Sequence, residues 1–540
     1  MKNKKFVLIG LITIAISYFS FQTPFFEIAK QIEIYNNMFK VLNMNYIDEI
    51  NPGDITNASI NYALKNLDPY TRFYNEQQME DAKIRREGEY GGVGINCSYT
   101  KQGIIVSKIK EGYPADKAGL KAGDVIFEVN GENLIGLATD QLSQQLKGTP
   151  NTKITVKLNR GNEVLTKDIT LDKIVIKAVP FYQMINEDTG YLILTRFFNQ
   201  KSTKEVKAAI KALKEQGMKK LVFDLRNNPG GSLYDAVNIT NLFIPKGKKV
   251  VDTRGKTKKN SRTYKTSQEP LDTEIPLVIL INGKSASASE IVSGALQDYD
   301  RAVVIGERSY GKGLVQRYFN LNYGTQMKAT ISKYYTPSGR CIQELDYANR
   351  DPKTKKVPKF SDGPINEYKT ENGRSVFDGG GVLPDIISKP MDINQTTKKL
   401  FKSRAIFNFC TDYLRNKEMN PDAFSFNETD FTSFKNYLKN TDSTFVTKQE
   451  SLFKKAYKSL DDNQIISADF ENLSQKLAQV KIDKINQDKD AIVSKIENEI
   501  IERLVYTNGL YKSQFKKDKT IIEAVTLLEN TEKYQAILNK

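Results

Sequence analysis

Residues 276–305, PLVILINGKSASASEIVSGALQDYDRAVVI, decide the architecture. Pro276 to Ile281 is a short and almost wholly apolar run, the pattern of a strand buried on both faces. Asn282-Gly283-Lys284 then turns the chain, a helix is expected from about Ser287 to Asp298, and Ala302 to Ile305 reads as a second buried strand. Strand, turn, helix and strand in that order predict an α/β core. The alternation extends outward. Tyr191 to Phe198 reads as a strand, Thr203 to Glu215 as a helix, and Leu221-Val222-Phe223-Asp224-Leu225 as a buried strand, so residues from about 188 to 345 form one core.

The flanks read differently. Residues from about 27 to 87 carry amphipathic helices, with Ile32, Tyr35, Phe39 and Leu42 at helical spacing and Leu67-Asp68-Pro69-Tyr70 closing the second helix. From Gly88 to about Ile176 short β-rich runs alternate with turns, for example Gly103 to Val106, Val125 to Val129 and Ile154 to Leu158. Helical stretches near Ala115 to Leu120 and Thr139 to Leu146 interrupt them. Beyond about Pro390 the chain turns helical and charged. Ile492, Ile496, Ile500 and Leu504 mark one face of a helix that Asn508-Gly509 is expected to end. The expected divisions are a signal or membrane-anchor segment (1–26), a helical region (27–87), a β-rich domain (88–176), the core (177–390) and a C-terminal helical region (391–540). The fold class is multidomain α+β.

A chain of 540 residues exceeds one ordinary core, and its 39% hydrophobic content is enough to build several. It contains no histidine. That excludes Ser-His-Asp and Cys-His chemistry and every His-bearing metal site. A general base acting near neutral pH is then a carboxylate, a lysine, a tyrosine or a terminal amine. The net charge of +16 raises nucleic-acid and membrane-surface binding, but the basic residues are spread widely and the run from Lys246 to Arg262 has few aromatics. A solvated Lys-rich surface, with no nucleic-acid partner, is the reading. Cys97, Cys341 and Cys410 are an odd count without CxxC spacing, and read as small buried hydrophobes. Lys2, Lys4 and Lys5 precede the uncharged run Phe6 to Phe21, which predicts export, and both a cleaved signal and a retained anchor fit.

Three loops carry chemistry. Asn282 to Glu290 follows a buried strand and opens a helix, where a serine can be exposed beside helix N-terminal N–H groups; a plain N-cap explains the same letters. Gly306-Glu307-Arg308-Ser309-Tyr310-Gly311-Lys312-Gly313 contains G-x-x-x-x-G-K. Gly313 stands where a phosphate loop needs Ser or Thr, and Leu314 to Phe319 alternates like a strand where such a loop feeds a helix. A lysine delivered into a cleft fits better. To act as a base it needs a largely apolar site, because an unperturbed lysine is neutral in only about one molecule in 2,500 at pH 7. The third loop, Asp224-Leu225-Arg226-Asn227-Asn228-Pro229-Gly230-Gly231-Ser232, frees backbone N–H groups at Pro-Gly-Gly, as an oxyanion hole or merely a tight turn requires.

Together the D-L-R-x-N-P-G-G, S-A-S-A-S-E and G-x-x-x-x-G-K-G-x-x-Q segments resemble the bacterial C-terminal processing (tail-specific) peptidases, Ser/Lys enzymes with a built-in PDZ domain. The resemblance runs from about residue 35 to 390 and includes Leu67 to Tyr70, Tyr335-Thr336-Pro337-Ser338-Gly339-Arg340 and Gly379-Gly380-Gly381-Val382-Leu383-Pro384-Asp385. It implies an α/β (ClpP/crotonase-like) peptidase core with the β-rich segment inserted as a small PDZ domain. It further implies Ser287, the middle serine, as nucleophile, Lys312 as general base and Gln316 as the residue that orients the lysine. The N–H groups of Ala288 and of Gly230 or Gly231 would form the oxyanion hole. Asp298 and Glu290 take supporting structural roles, since a carboxylate touching the Lys312 ammonium would raise its pKa. Gly92, Val93, Gly94 and Ile95 would form the loop that captures a peptide C-terminus. Pro114 to Leu120 and Gly123 to Ile126 also match the module, while Lys147 stands where the family often has Arg.

The expected activity is that of a serine endopeptidase of the cell envelope, periplasmic or anchored in the inner membrane facing the periplasm. It would read non-polar C-terminal tails and use no metal or organic cofactor. The expected partners are protein or peptide substrates with free C-termini, a second copy bound through the helical regions, and the membrane if the N-terminal segment is retained. The rival reading is a catalytically inactive PDZ-type scaffold, against which the intact Ser287, Lys312 and Gln316 argue.

Overall fold

The centre of the molecule is a six-stranded sheet in which chain order and spatial order coincide. Its strands are β1 (Phe181–Met184), β2 (Thr189–Ile193), β3 (Lys220–Asp224), β4 (Leu277–Ile281), β5 (Val303–Gly306) and β6 (Ile386–Ile387). β1 is antiparallel to β2 and every later pair is parallel. The structure, a computed structural model, describes residues 24–389, 391–415, 417, 419–421, 424–440, 445–459 and 467–538. The charged and apolar start read as a signal or anchor therefore lies outside the described residues as far as residue 23. Among the described residues no helix is long and apolar enough to cross a membrane.

Both faces of the sheet are covered, which is why its strands are continuously apolar. Leu192, Leu221, Phe223, Leu277, Ile279, Ile281 and Val304 point to one face. There they meet helices α1 (Lys201–Glu215), α2 (Leu233–Asn241) and α3 (Ala288–Asp298) through Val206, Ile210, Leu213, Ile239, Ile291 and Val292. The alternate residues Tyr191, Ile193, Val222, Val278, Leu280, Val303 and Ile305 point to the other face. They are covered by α5 (Lys519–Glu529) and α6 (Thr531–Ile537) through Ile521, Ala524, Leu527, Leu528 and Tyr534. The Tyr534 hydroxyl also accepts the Leu277 N–H at 2.9 Å. The helical region expected over 391–540 thus divides. Leu400, Phe409, Phe431, Phe434, Ile482, Ile492, Ile496 and Ile500 form a core of their own, whereas residues 519–538 complete the sheet.

Two expectations about element ends need correction. The strand expected over Tyr191 to Phe198 stops at Ile193, because Phe197 turns aside to bridge Gly231 of the Pro-Gly-Gly turn. The helix α4 (Lys489–Gln514) does not end at Asn508-Gly509. It breaks earlier, at Val505 (φ −129°, ψ 21°) and Tyr506 (φ 56°, ψ −173°), and resumes through Gly509. At the break the Tyr506 hydroxyl donates to Asp116 Oδ1 at 2.7 Å, a contact between distant segments that no local stop signal encodes.

The β-rich segment has a core of Ile104, Val106, Ile126, Val129, Val156 and Leu158. Its six-stranded sheet is ordered Ile95–Thr100, Gly103–Ile109, Val125–Val129, Lys153–Arg160 and Glu163–Thr170, with Glu132–Asn133 beside Val125–Val129. The chain enters along Glu89–Gly92 and leaves along Asp172–Val175, and these two strands pair with each other, the arrangement of an insertion. A separate unit comprises, among the described residues, 24–75 with 318–329. In it the helices Pro24–Asn45 and Pro52–Lys65 precede Arg72–Tyr74, which pairs with Gln326–Lys328. Asp68 is buried there and accepts the N–H groups of Tyr70 and Thr71, which makes Leu67 to Tyr70 a capped turn.

Candidate active site

The register aligns Asp224 with Leu280 and Ile281 with Gly306, so β3, β4 and β5 end side by side. The three loops that follow them leave one edge of the sheet, the carboxyl edge at which open α/β folds bind ligands. These are the three chemical loops of the sequence.

Ser287 is the residue at which β4 gives way to α3. Its backbone has φ 58° and ψ −111°, a conformation that costs a non-glycine residue about 1–3 kcal/mol. A sharp, strained strand-to-helix turn lifts a side chain clear of the sheet, as at the nucleophile elbow of unrelated hydrolases. The neighbouring serines are differently employed. Ser285 and Ser289 are completely buried, and their hydroxyls donate to the carbonyls of Leu225 and Asn228 at 2.8 and 2.9 Å. Ser287 alone of the three is half-exposed.

One buried carboxylate joins this turn to the lysine loop. Glu290 is fully buried and receives four donors. Its Oε2 accepts the N–H of Ser287 at 2.7 Å and of Lys312 at 3.0 Å. Its Oε1 accepts the Ser309 hydroxyl at 2.6 Å and the Gly311 N–H at 2.7 Å. Burial pushes the Glu290 carboxyl above its ordinary range, against the pull of these hydrogen bonds. Glu290 meets Lys312 through its backbone N–H. Lys312 itself is half-buried, and Gly313 fixes the far side of its loop by donating to Gln343 Oε1 at 2.8 Å. Gln316 stands on the strand Leu314–Asn320 and its amide donates to Thr330 Oγ1 at 3.2 Å. Asp298, at the opposite end of α3, accepts Arg340 Nη2 and the Ser338 N–H, each within 2.9 Å, and so ties the helix to the Thr336-Pro337 turn.

The Pro-Gly-Gly turn lies directly on the serine. A Cβ at Gly230 would stand 2.8 Å from Ala288 N and 2.9 Å from Ser287 Cβ, so only glycine fits. The two glycines differ in their N–H groups. That of Gly230 donates to Asn228 Oδ1 at 2.9 Å. Phe197 makes its bridge to Gly230 O and Ser232 N, and among the described residues the Gly231 N–H has no hydrogen-bond partner. The Ala288 N–H opens α3, where helical geometry supplies no acceptor.

The sequence did not single out Tyr334, Ser309 and Asn228. Tyr334 is buried and its hydroxyl donates to Ser287 O at 3.1 Å. Its alternation with Ser332, buried on the same face of Gln326–Tyr335, is the signal that could have found it. Ser309 links Glu290 to the Val382 N–H, and Asn228 O accepts the Ala286 N–H as well as the Ser289 hydroxyl.

In the β-rich domain Gly92 bridges Lys147, Gly94 has φ 83°, and Ile95 opens the edge strand. The carbonyls of Val93 and Gly94 accept Ala115 N and Lys110 N. The side chains of Val93 and Ile95 do not line an open pocket. Both are buried with Leu142 and Leu146, because the helix Thr139–Gln144 lies against the edge strand.

Comparison with known proteins follows this division. "Peptidase family S41" matches residues 188–348, "PDZ domain" residues 81–159, and "Probable PDZ-protease, C-terminal helical domain" residues 396–528. A carboxy-terminal-processing protease of Bartonella bacilliformis is 35% identical over 320 residues, 58% of this chain and 73% of that one. A CtpA-like serine protease of Staphylococcus aureus is 36% identical over 309 residues, 57% of this chain and 61% of the relative. Among solved structures, a photosystem II D1 C-terminal processing protease is 25% identical with a TM-score of 0.36, covering 67% of this chain and 93% of that one. The chain belongs to the carboxy-terminal-processing protease family, serine-type peptidases whose core carries a PDZ domain.

Proposed function

We propose that this chain is a serine endopeptidase of the cell envelope that binds non-polar C-terminal tails through its PDZ domain and cuts by a Ser/Lys mechanism. The observation that carries the reading is the Glu290 carboxylate, which gathers the backbones of Ser287 and Lys312 on a single oxygen. With no histidine in the chain, the lysine is the residue of this site suited to act as base.

Neutral Lys312 Nζ takes the proton of Ser287 Oγ as that oxygen attacks the scissile carbonyl. The carbonyl oxygen, now an anion, turns to the N–H groups of Ala288 and Gly231, the two unengaged donors at the turn, and the Asn228 contact takes Gly230 out of that role. Collapse of the adduct expels the amine, which receives the proton from the Lys312 ammonium. Water then attacks the acyl carbon and gives its proton to Lys312, and Ser287 Oγ leaves the acyl group as it takes that proton back from the Lys312 ammonium. Gln316 and Thr330 hold the strand beside the lysine.

The tail would enter beside the Ile95–Thr100 edge strand, with its carboxylate on the N–H groups of Val93 and Gly94. The buried state of Val93 and Ile95 means that the helix Thr139–Gln144 must move aside as a tail enters. The uncharged segment after Lys5 would place the enzyme in the envelope. Wild type and Ser287→Ala, each incubated with a peptide ending in a free apolar residue, test the reading by mass spectrometry of the products. Cleavage by the alanine variant would overturn it.

A further inference from the structure

Tyr334 is buried, and its side-chain hydroxyl donates to the backbone carbonyl of Ser287 at 3.1 Å. That carbonyl already accepts the Ile291 N–H at 2.9 Å, the first bond of α3, so the tyrosine is a second and separate hold. Tyr334 is itself fixed, with its N–H on Gly313 O at 2.9 Å and its ring in the core under the sheet. The Ser287 carbonyl and the Ala288 N–H belong to the same peptide group. A peptide is planar, with its C=O and N–H pointing in opposite directions. Fixing the direction of the carbonyl therefore fixes the direction of the N–H. Glu290 holds the other peptide of Ser287 through its N–H, so the φ of 58° and ψ of −111° are each set by one clamp.

We propose that Tyr334 is a positioning residue for the oxyanion hole. Its hydroxyl aims the Ala288 N–H at the developing charge, and by hydrogen bonding to the far end of the same peptide it makes that N–H a stronger donor. This rests on Ser287 as nucleophile and Ala288 as oxyanion donor. A bond made only to developing negative charge acts on the transition state and leaves ground-state binding alone.

The test compares two short peptides that share one apolar sequence and differ in ending, one an aldehyde and the other the corresponding alcohol. The aldehyde adds to the serine and creates the oxyanion, whereas the alcohol cannot. The quantity read is the ratio of their dissociation constants within one preparation, which does not depend on the folded fraction. In Tyr334→Phe the ratio is expected to fall about tenfold, equivalent to about 1.4 kcal/mol. kcat should fall by at least the same factor, with KM within about twofold. Tyr335→Phe is the control on the opposite strand face, where the ring stacks on Arg254, and should leave both quantities unchanged. An unchanged ratio in Tyr334→Phe overturns the proposal even if the melting temperature falls, because a purely structural tyrosine would lower stability alone. Ser287→Ala separates the underlying reading. If that variant keeps the aldehyde preference, the nucleophile is misassigned and the role of Tyr334 falls with it.

Discussion

Exchanging Glu290 for glutamine keeps the size of the side chain and removes one of its two acceptor oxygens. Glutamine can serve only one of the two donor pairs. With its carbonyl on Ser287 and Lys312, its NH2 group faces Ser309 and Gly311. The Ser309 hydroxyl can turn to accept, but the Gly311 N–H cannot. An orphaned buried N–H costs about 1–3 kcal/mol, and the retained bonds weaken from charge-assisted to neutral strength. Part of this is returned, because burial already disfavours the ionised carboxyl. A net loosening on the order of 2 kcal/mol at the lysine loop would speed amide exchange at Gly311 and Lys312 by about 30-fold. Hydrogen–deuterium exchange read by mass spectrometry over residues 306–316 measures it, and kcat should fall at least about tenfold because the loop carries Lys312. The upward pKa shift gives the sign with pH. The native carboxyl contributes most below the ordinary carboxylate range, and that contribution is lost as pH rises through its folded value. The gap between wild type and variant therefore narrows from acid to neutral pH. Wild-type exchange over 306–316 together with an unchanged kcat would refute the role of Glu290 as the crosslink of the site.

Lys312→Arg should be inactive although it keeps the charge, because guanidinium stays protonated; the wild-type rate should fall as pH drops below the lysine's pKa, and a rate flat from about pH 5 to 9 would exclude a lysine base. Ser285→Ala should lower the melting temperature, since its buried hydroxyl bonds Leu225 O, while kcat per folded molecule stays within about twofold. Amidating a substrate's C-terminus should slow its cleavage at least about tenfold, roughly 1.4 kcal/mol, and equal rates for amide and acid would remove the tail-reading role of Val93 and Gly94. Deleting residues 519–538 uncovers seven large side chains of the sheet at about 1.5–3 kcal/mol each, a loss as large as the whole stability of a typical domain. That variant should be insoluble or lack the near-ultraviolet signature of packed aromatics.

Much of this was legible in the sequence because the signals are local. An apolar run followed by a small-residue turn marks β4 and Ser287, and a lysine between glycines after β5 marks Lys312. What escaped depends on long-range partners. The four donors of Glu290 come from Ser287 and from residues 309–312, and its letter alone, three places after a serine, reads as an ordinary capping box. The apolar face of residues 519–538 shows that these helices are amphipathic, not which surface they cover. Asn508-Gly509 is a sound stop signal that lost to the Tyr506 contact with Asp116 two residues earlier. Val93 and Ile95 alternate as a pocket lining would, but that pattern is shared with a core, and the core holds them.

The cover that residues 519–538 lay on the sheet has a consequence in time. Ser287, Lys312 and the oxyanion turn are all made before residue 320, yet the sheet that carries them keeps one apolar face open until residues 519–538 arrive. Synthesis runs from the N-terminus at about 5–20 residues per second, so the interval between making Lys312 and making Leu538 lasts on the order of ten seconds or more. A nascent chain in that interval holds every reacting group without a rigid frame for them. The core that carries Ser287 and Lys312 is thereby completed only by the last residues of the chain to be made.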